Sequence, residues 1–238
     1  MTALVVTGTN TDIGKTVVTA AVAALARAAG RRVAVFKPAQ TGVGPTEPGD
    51  AHVAARLAGE GVVPVELARF PEPLAPATSA RRAGMPPVTP QAAADAVRKL
   101  EAEYDLVLVE GAGGLLVRLD DEGGTLADVA ALLDAPVLVV AAPALGTLNI
   151  VQLTGEALRA RGLTTRGVVI GAWPDEPGLA ERCNVGELAE MAGAPLLGAV
   201  PAGAGGLDPA EFGTRASQWL APELGGTWNA EQFTADRT

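Results

Sequence analysis

Short apolar runs separated by amphipathic stretches set the rhythm of this chain. The runs at residues 4–7, 33–36, 106–109, 137–141, 168–170 and 196–200 are aliphatic throughout rather than alternating, the mark of strands covered on both faces. Between them, apolar positions recur with a helical period over residues 15–29, 51–58, 91–103, 126–133, 147–161 and 179–191. Two of these stretches carry start signals: Thr89 before a first-turn Pro90, and Thr125 before Leu126-Ala127-Asp128. Strands alternating with helices predict an α/β fold, a doubly wound, mostly parallel sheet flanked by helices in a three-layer sandwich. Ligands of such sheets sit beyond the carboxyl ends of the strands, so the residues just after each run are the first to inspect.

Two segments break the rhythm. Residues 59–90 carry Pro64, Pro71, Pro73, Pro76, Pro86 and Pro87, and read either as an ordered excursion near the site or, for most of their length, as plain connecting loop. Residues 221–238 show no clear apolar period and read as a partly mobile tail after a single domain spanning 1–220.

Composition narrows the function classes. The chain has 238 residues, 48% hydrophobic and only 3% aromatic, which suits one aliphatic core of helices packed on a parallel sheet. A formal net charge of −9 excludes a nucleic-acid or anionic-membrane surface, since both need clustered cations. Cys183 is the sole cysteine, so no intrachain disulfide forms and a reducing cytoplasm is expected. His52 is the sole histidine, which sets aside serine hydrolases and His-rich zinc sites, and it is expected on an exposed helix face. Neither a leader sequence nor an apolar run of membrane-spanning length is evident, so a soluble, untargeted protein is expected.

Chemistry concentrates at the strand ends. After the first run comes Gly8-Thr9-Asn10-Thr11-Asp12-Ile13-Gly14-Lys15-Thr16, a glycine turn into a helix start, where free backbone N–H groups and the positive end of the helix dipole favour polyphosphate. Lys15 is placed to reach the β- and γ-phosphates and the Thr16 hydroxyl to ligate magnesium. The loop is one residue longer than the usual pattern, with Thr9 where the first glycine would stand. Glu110, opening Glu110-Gly111-Ala112-Gly113-Gly114, is a carboxylate at the mouth of a buried run, costly to bury without a cation or donors. Asp50 alone would read as a helix cap; with Thr16 and Glu110 it completes three oxygen ligands for magnesium. Lys37, kept extended by Pro38, stands where its ammonium can neutralise phosphate or substrate.

Together with Thr41-Gly42 after Lys37-Pro38 and with Leu145-Gly146-Thr147-Leu148-Asn149, these motifs make the chain, up to the tail, resemble the dethiobiotin synthetase family, which has a P-loop NTPase-like fold. That resemblance implies ATP-dependent, magnesium-requiring closure of the ureido ring of dethiobiotin from 7,8-diaminononanoate and CO2, by way of a carbamate and a carbamic-phosphoric mixed anhydride, in a homodimer with sites near the interface. It also implies roles by residue. Thr11 and Asp12, with Lys15 and Lys37, line the reacting groups. Asp12 through Val17 (Ile13, Gly14, Lys15 and Thr16 between them), Asp50, Glu110, Gly111, Ala112 and Gly113 hold the nucleotide. Lys37 and Thr41 contact substrate and phosphate, and Gly146, Thr147, Leu148 and Asn149 receive the substrate carboxylate from the partner subunit, capping a helix as they do so. One departure stands out: after residues 167–170, where the family commonly has an adenine-reading asparagine, this chain has Gly171. Gly171, Ala172, Val200, Pro201, Ala202 and Gly203 then hold the base by backbone and shape, and relaxed nucleotide preference is expected. Trp173 either stacks on the base or packs in its loop.

Two other classes share the loop. Regulatory ATPases of the partitioning type carry an extra lysine where this chain has Asn10, and often a membrane-binding terminal helix that the acidic tail does not resemble. A glutamine-dependent amide ligase of cobalamin synthesis needs a second domain with its own Cys and His.

Overall fold

A computed structural model describes residues 2–235. In chain order its elements are β1 (Ala3–Gly8), α1 (Lys15–Ala28), β2 (Val33–Thr41), α2 (Asp50–Ala58), β3 (Val62–Phe70), α3 (Pro76–Ala83), α4 (Pro90–Glu101), β4 (Leu106–Gly114), α5 (Leu126–Leu133), β5 (Val137–Ala141), α6 (Thr147–Ala160), β6 (Thr165–Trp173), α7 (Leu179–Ala192), β7 (Leu196–Pro201), α8 (Pro209–Arg215) and α9 (Ala230–Ala235). The strands form one sheet in the order β3-β2-β4-β1-β5-β6-β7, every pairing parallel. Right-handed crossovers running one way from β1 to β3 and the other way from β3 to β7 put α1 and α2 on one face and α4 to α7 on the opposite face. All carboxyl ends of the strands therefore share one edge.

The continuous aliphatic runs are explained by burial. Every residue of β1 and β5 is buried, as is the body of β2, β4 and β7. The alanines of α1 let that helix sink against the sheet: Ala20, Ala21 and Ala23 are inaccessible to solvent. Both start signals hold. Thr89 accepts the Ala92 N–H at 3.1 Å ahead of Pro90, and Thr125 forms a capping box with Asp128, whose carboxylate takes the Thr125 N–H at 2.8 Å.

Three readings gain detail. The proline-rich stretch 59–90 contains a strand and a helix: β3 is the edge of the sheet, where Pro64 lacks an N–H that the open side does not need, and α3 begins on Pro76, a position that tolerates proline. Several side chains within residues 221–235 are packed. Ala221, Leu224 and Trp228 are buried, and Phe233 sets its ring edge-on to Trp173 with centroids 5.1 Å apart. Trp173 is thereby a buried packing residue, not a stacking platform. Residues 236–238 of the expected tail lie outside the described residues.

Candidate functional site

A cleft of about 920 Å³ opens at the shared edge of the sheet. Thr11, Asp12, Gly14, Lys15 and Thr16 form one wall, Lys37, Thr41, Asp50, Glu110, Ala112 and Gly113 another, and the segment from Pro73 to Pro76 a third. The loop after β1 is fixed by its backbone. The Thr9 N–H donates to the Val140 carbonyl at 2.9 Å, Asp12 adopts φ 55° and Gly14 φ 93°, and α1 starts with no side-chain cap. Its first N–H groups are left pointing at the cleft mouth. Lys15, buried, folds back to donate to the Asn10 carbonyl at 2.7 Å.

Buried Lys37 and Glu110 and the half-exposed Asp50 form an ionic knot. The Lys37 ammonium lies 2.5 Å from Asp50 Oδ2 and 3.0 Å from Glu110 Oε1, and donates to the Gly111 carbonyl at 3.0 Å. Thr16 Oγ1 donates to the same Glu110 oxygen at 2.9 Å. Burial works against the charge on Lys37, but the Glu110 and Asp50 carboxylates together outweigh it and hold its pKa above the ordinary lysine value. Lys15 goes the other way: burial lowers its pKa, and the Lys37 charge nearby lowers it further. Glu110 is fully buried, yet its Oε2 has no hydrogen-bond partner. A lone carboxylate oxygen inside a protein calls for a cation or a donor. Next to the Thr16 hydroxyl and the Asp50 carboxylate, it fits a hard divalent metal such as magnesium.

Some expected residues lie off the cleft wall. Ile13 is buried and anchors the loop rather than facing the cleft. Val17 faces the turn after β7, where a Cβ on Gly205 would stand 3.1 Å from its methyl carbon. Gly171 is a packing glycine. A Cβ there would stand 2.0 Å from the Ile13 carbonyl oxygen, and one on Gly14 would stand 2.2 Å from the Gly171 oxygen, so the phosphate loop rests directly on β6 and no side chain fits between. Val200 is buried in β7 and Pro201 ends it, while Ala202 and Gly203 continue beyond, the Ala202 N–H donating to the Trp173 carbonyl at 2.7 Å. Neither Gly171 and Ala172 nor residues 200–203 line the cleft, and neither do Gly146, Thr147, Leu148 and Asn149 at the start of α6. Thr147 is buried with its hydroxyl unpartnered.

Sequence reasoning missed Gln40, whose Oε1 accepts the Asp50 N–H at 2.8 Å; the Pro73–Pro76 wall, within the stretch read as an ordered excursion near the site, packs on Gly42 so closely that a Cβ there would lie 2.8 Å from that of Pro73. The run of prolines was the available signal for the wall; a buried glutamine in the β2 extension carried none.

An AAA-domain family model matches residues 2–205. In solved structures the fold recurs in the septum site-determining protein MinD complexed with Mg-ADP from Pyrococcus horikoshii, 18% identical with a TM-score of 0.54 over 98% of this chain and 93% of that one. A ParA family ATPase from Chlorobium tepidum is 15% identical with a TM-score of 0.54 over 94% of both chains. These likenesses are of fold alone. Much nearer in sequence are ATP-dependent dethiobiotin synthetases, 65% identical in Streptomyces coelicolor over 98% of both chains and 64% identical in Streptomyces avermitilis over 99% of this chain and 98% of that one. Identity of that extent, end to end, joins the strand-edge cleft to a lineage: the chain belongs to the ATP-dependent dethiobiotin synthetase family.

Proposed function

We propose that the cleft binds a magnesium nucleoside triphosphate and 7,8-diaminononanoate and closes the ureido ring of dethiobiotin. The convergence of Lys15 and Lys37 with Thr16, Asp50 and Glu110 at the phosphate loop carries this reading. Two ammonium groups face three carboxylates, Asp12, Asp50 and Glu110, among the cleft-lining residues, so a polyphosphate enters only with an added cation. Thr16, Asp50 and Glu110 would hold magnesium, which supplies charge neutralisation at the β- and γ-phosphates.

The chain's own residues do the rest. The first turn of α1 seats the polyphosphate, and Lys15 exchanges the Asn10 carbonyl for phosphate oxygens. One substrate amine adds to CO2 and loses a proton, forming a carbamate. The carbamate oxygen attacks the γ-phosphorus and the nucleoside diphosphate departs, with Lys37 and Lys15 balancing the charge that spreads over the transferred oxygens. The second amine then attacks the carbonyl carbon of the mixed anhydride and expels phosphate, closing the ring. Positioning by Thr11, Asp12 and Thr41 suffices for this, since no covalent enzyme intermediate forms.

The start of α6 stands outside the cleft of its own chain, which supports a homodimer in which Gly146 to Asn149 of one subunit receive the substrate carboxylate of the other. The exposed Leu145, Ile150, Leu153 and Leu179 nearby suit burial there. Backbone and shape at Gly171, Ala172 and residues 200–203 read the base, giving relaxed nucleotide preference. Among the described residues no helix is long and apolar enough to cross a membrane, and with the single cysteine this supports a cytoplasmic enzyme.

Phosphate release with magnesium and bicarbonate, with and without diamine, comparing ATP, CTP and GTP and confirming product by mass, tests the proposal. Diamine-dependent release with dethiobiotin is expected, at similar rates across bases. Release that ignores diamine would favour a partitioning-type switch.

A further inference from the structure

Asp50 must be held accurately to meet Lys37, yet it follows residues 42–49, which contain no helix or strand. Two residues of β3 supply the anchorage. Arg69 donates from Nε and Nη2 to the two carboxylate oxygens of Glu66 at 2.9 and 2.7 Å, a forked pair. Its Nη1 donates to the carbonyls of Gly44 and Glu47, both at 2.7 Å. One planar guanidinium thereby ties the strand to the loop at two points. Glu66, which also meets His52 Nδ1 at 3.2 Å, stands against Gly49, where a Cβ would lie 2.3 Å from its Oε1. From the sheet side, Gln40 grips the Asp50 N–H and donates to the Thr41 carbonyl at 3.2 Å. The side chains of Glu66 and Arg69 are only 10% and 22% exposed, so water competes weakly for their bonds.

We propose that Arg69 and Glu66 are positioning residues for the metal site, acting through residues 42–49 to hold the Asp50 carboxylate, on the reading that Thr16, Asp50 and Glu110 hold magnesium. Without Arg69 the Gly44 and Glu47 carbonyls turn to water and the loop gains freedom that metal binding must then remove. Outer partners of a metal ligand are worth roughly 10- to 100-fold in metal affinity.

The test is binding of a fluorescent ATP analogue titrated with and without magnesium chloride, in the full-length protein and its Arg69→Ala, Arg69→Lys, Glu66→Gln and Asp50→Asn variants. Arg69→Ala and Glu66→Gln are expected to raise the magnesium concentration at half-saturation about tenfold while metal-free nucleotide affinity stays put. Arg69→Lys, which keeps the charge but not the fork, should raise it less, and Asp50→Asn at least as much. If Asp50→Asn shifts the magnesium dependence while both β3 variants titrate like the parent, the positioning role is overturned and the metal site stands. If Asp50→Asn changes nothing, the metal-site reading falls and takes the proposal with it. Should Arg69→Ala not fold, Glu66→Gln carries the test.

Discussion

Helices α1 and α6 leave adjacent central strands through left-handed glycines, Gly14 at φ 93° and Gly146 at φ 95°, and neither has a side-chain cap or an acidic residue in its first turn. Both therefore present bare N–H groups and an unopposed dipole to the same edge of the sheet. Their surroundings differ. The start of α1 is walled by β6 through Gly171 and backed by two buried ammonium groups. The start of α6 lies open beside an 87% exposed Leu145, with no Lys or Arg in residues 144–151 and with the unpartnered Thr147 hydroxyl. On the proposed function, one backbone device yields two anion seats, and the charge and walls around each decide what it takes: a polyphosphate that needs cations, or a single carboxylate completed by a second subunit.

The comparison breaks most sharply at the cation. Lys15→Met should lower turnover by roughly 10²- to 10³-fold, read as diamine-dependent phosphate release, with no equivalent residue to lose at α6. Next come the glycines themselves. Gly14→Ala meets both the left-handed penalty and a collision with the Gly171 carbonyl, and should destabilise by about 3 kcal/mol; Gly146→Ala has open space and only the penalty, about 1 kcal/mol. Urea denaturation of the two variants side by side checks the difference, and equal losses would show that the wall at β6 yields. Smaller again is Thr147→Val, expected to stabilise the free protein by up to about 1 kcal/mol, since it removes a buried hydroxyl without a partner, while raising KM for the diamine several-fold at unchanged kcat.

The smallest effect is in alkali. Folded Lys15 releases its proton below the ordinary lysine value, so between the two values the unfolded chain binds more protons and the stability of the nucleotide-free protein rises with pH. Lys37 does the reverse: its contribution is intact below the ordinary value and is lost as pH climbs through its raised folded value. Lys15→Met should remove the rise and leave the fall in a pH series of denaturation midpoints.

What could be read from the sequence follows from how each feature is built. Lys15, Lys37 and Glu110 each stand at the mouth of a buried run, so position along the chain already placed them on one edge. Strand β3 was hidden because its proline is allowed only at a sheet edge, and edges are decided by topology, not by local pattern. The packing within segment 221–235 was hidden because Phe233 sits on the distant Trp173 and Trp228 on Phe233, rather than on a periodic face. Gly171 reads as the loss of a base-reading side chain, but that its smallness also seats the phosphate loop depends on the distant Ile13 carbonyl and is not written locally. Gln40 and Arg69 grip backbone in a neighbouring segment and Glu66 holds Arg69 in place, and no spacing rule encodes that.

The placement of β1 bears on how the molecule is made. Its neighbours are β4 and β5, with Ala3 beside Val107 and Gly8 beside Val140, and the loop that follows it rests on Gly171. Parallel pairings between such distant segments form late. A growing chain on the ribosome thus carries its nucleotide loop before it can shape it, until β6 has emerged. Nucleotide can then stabilise only chains in which β6 is already made, by mass action, and its presence in the cell would favour those over chains that stop short of it.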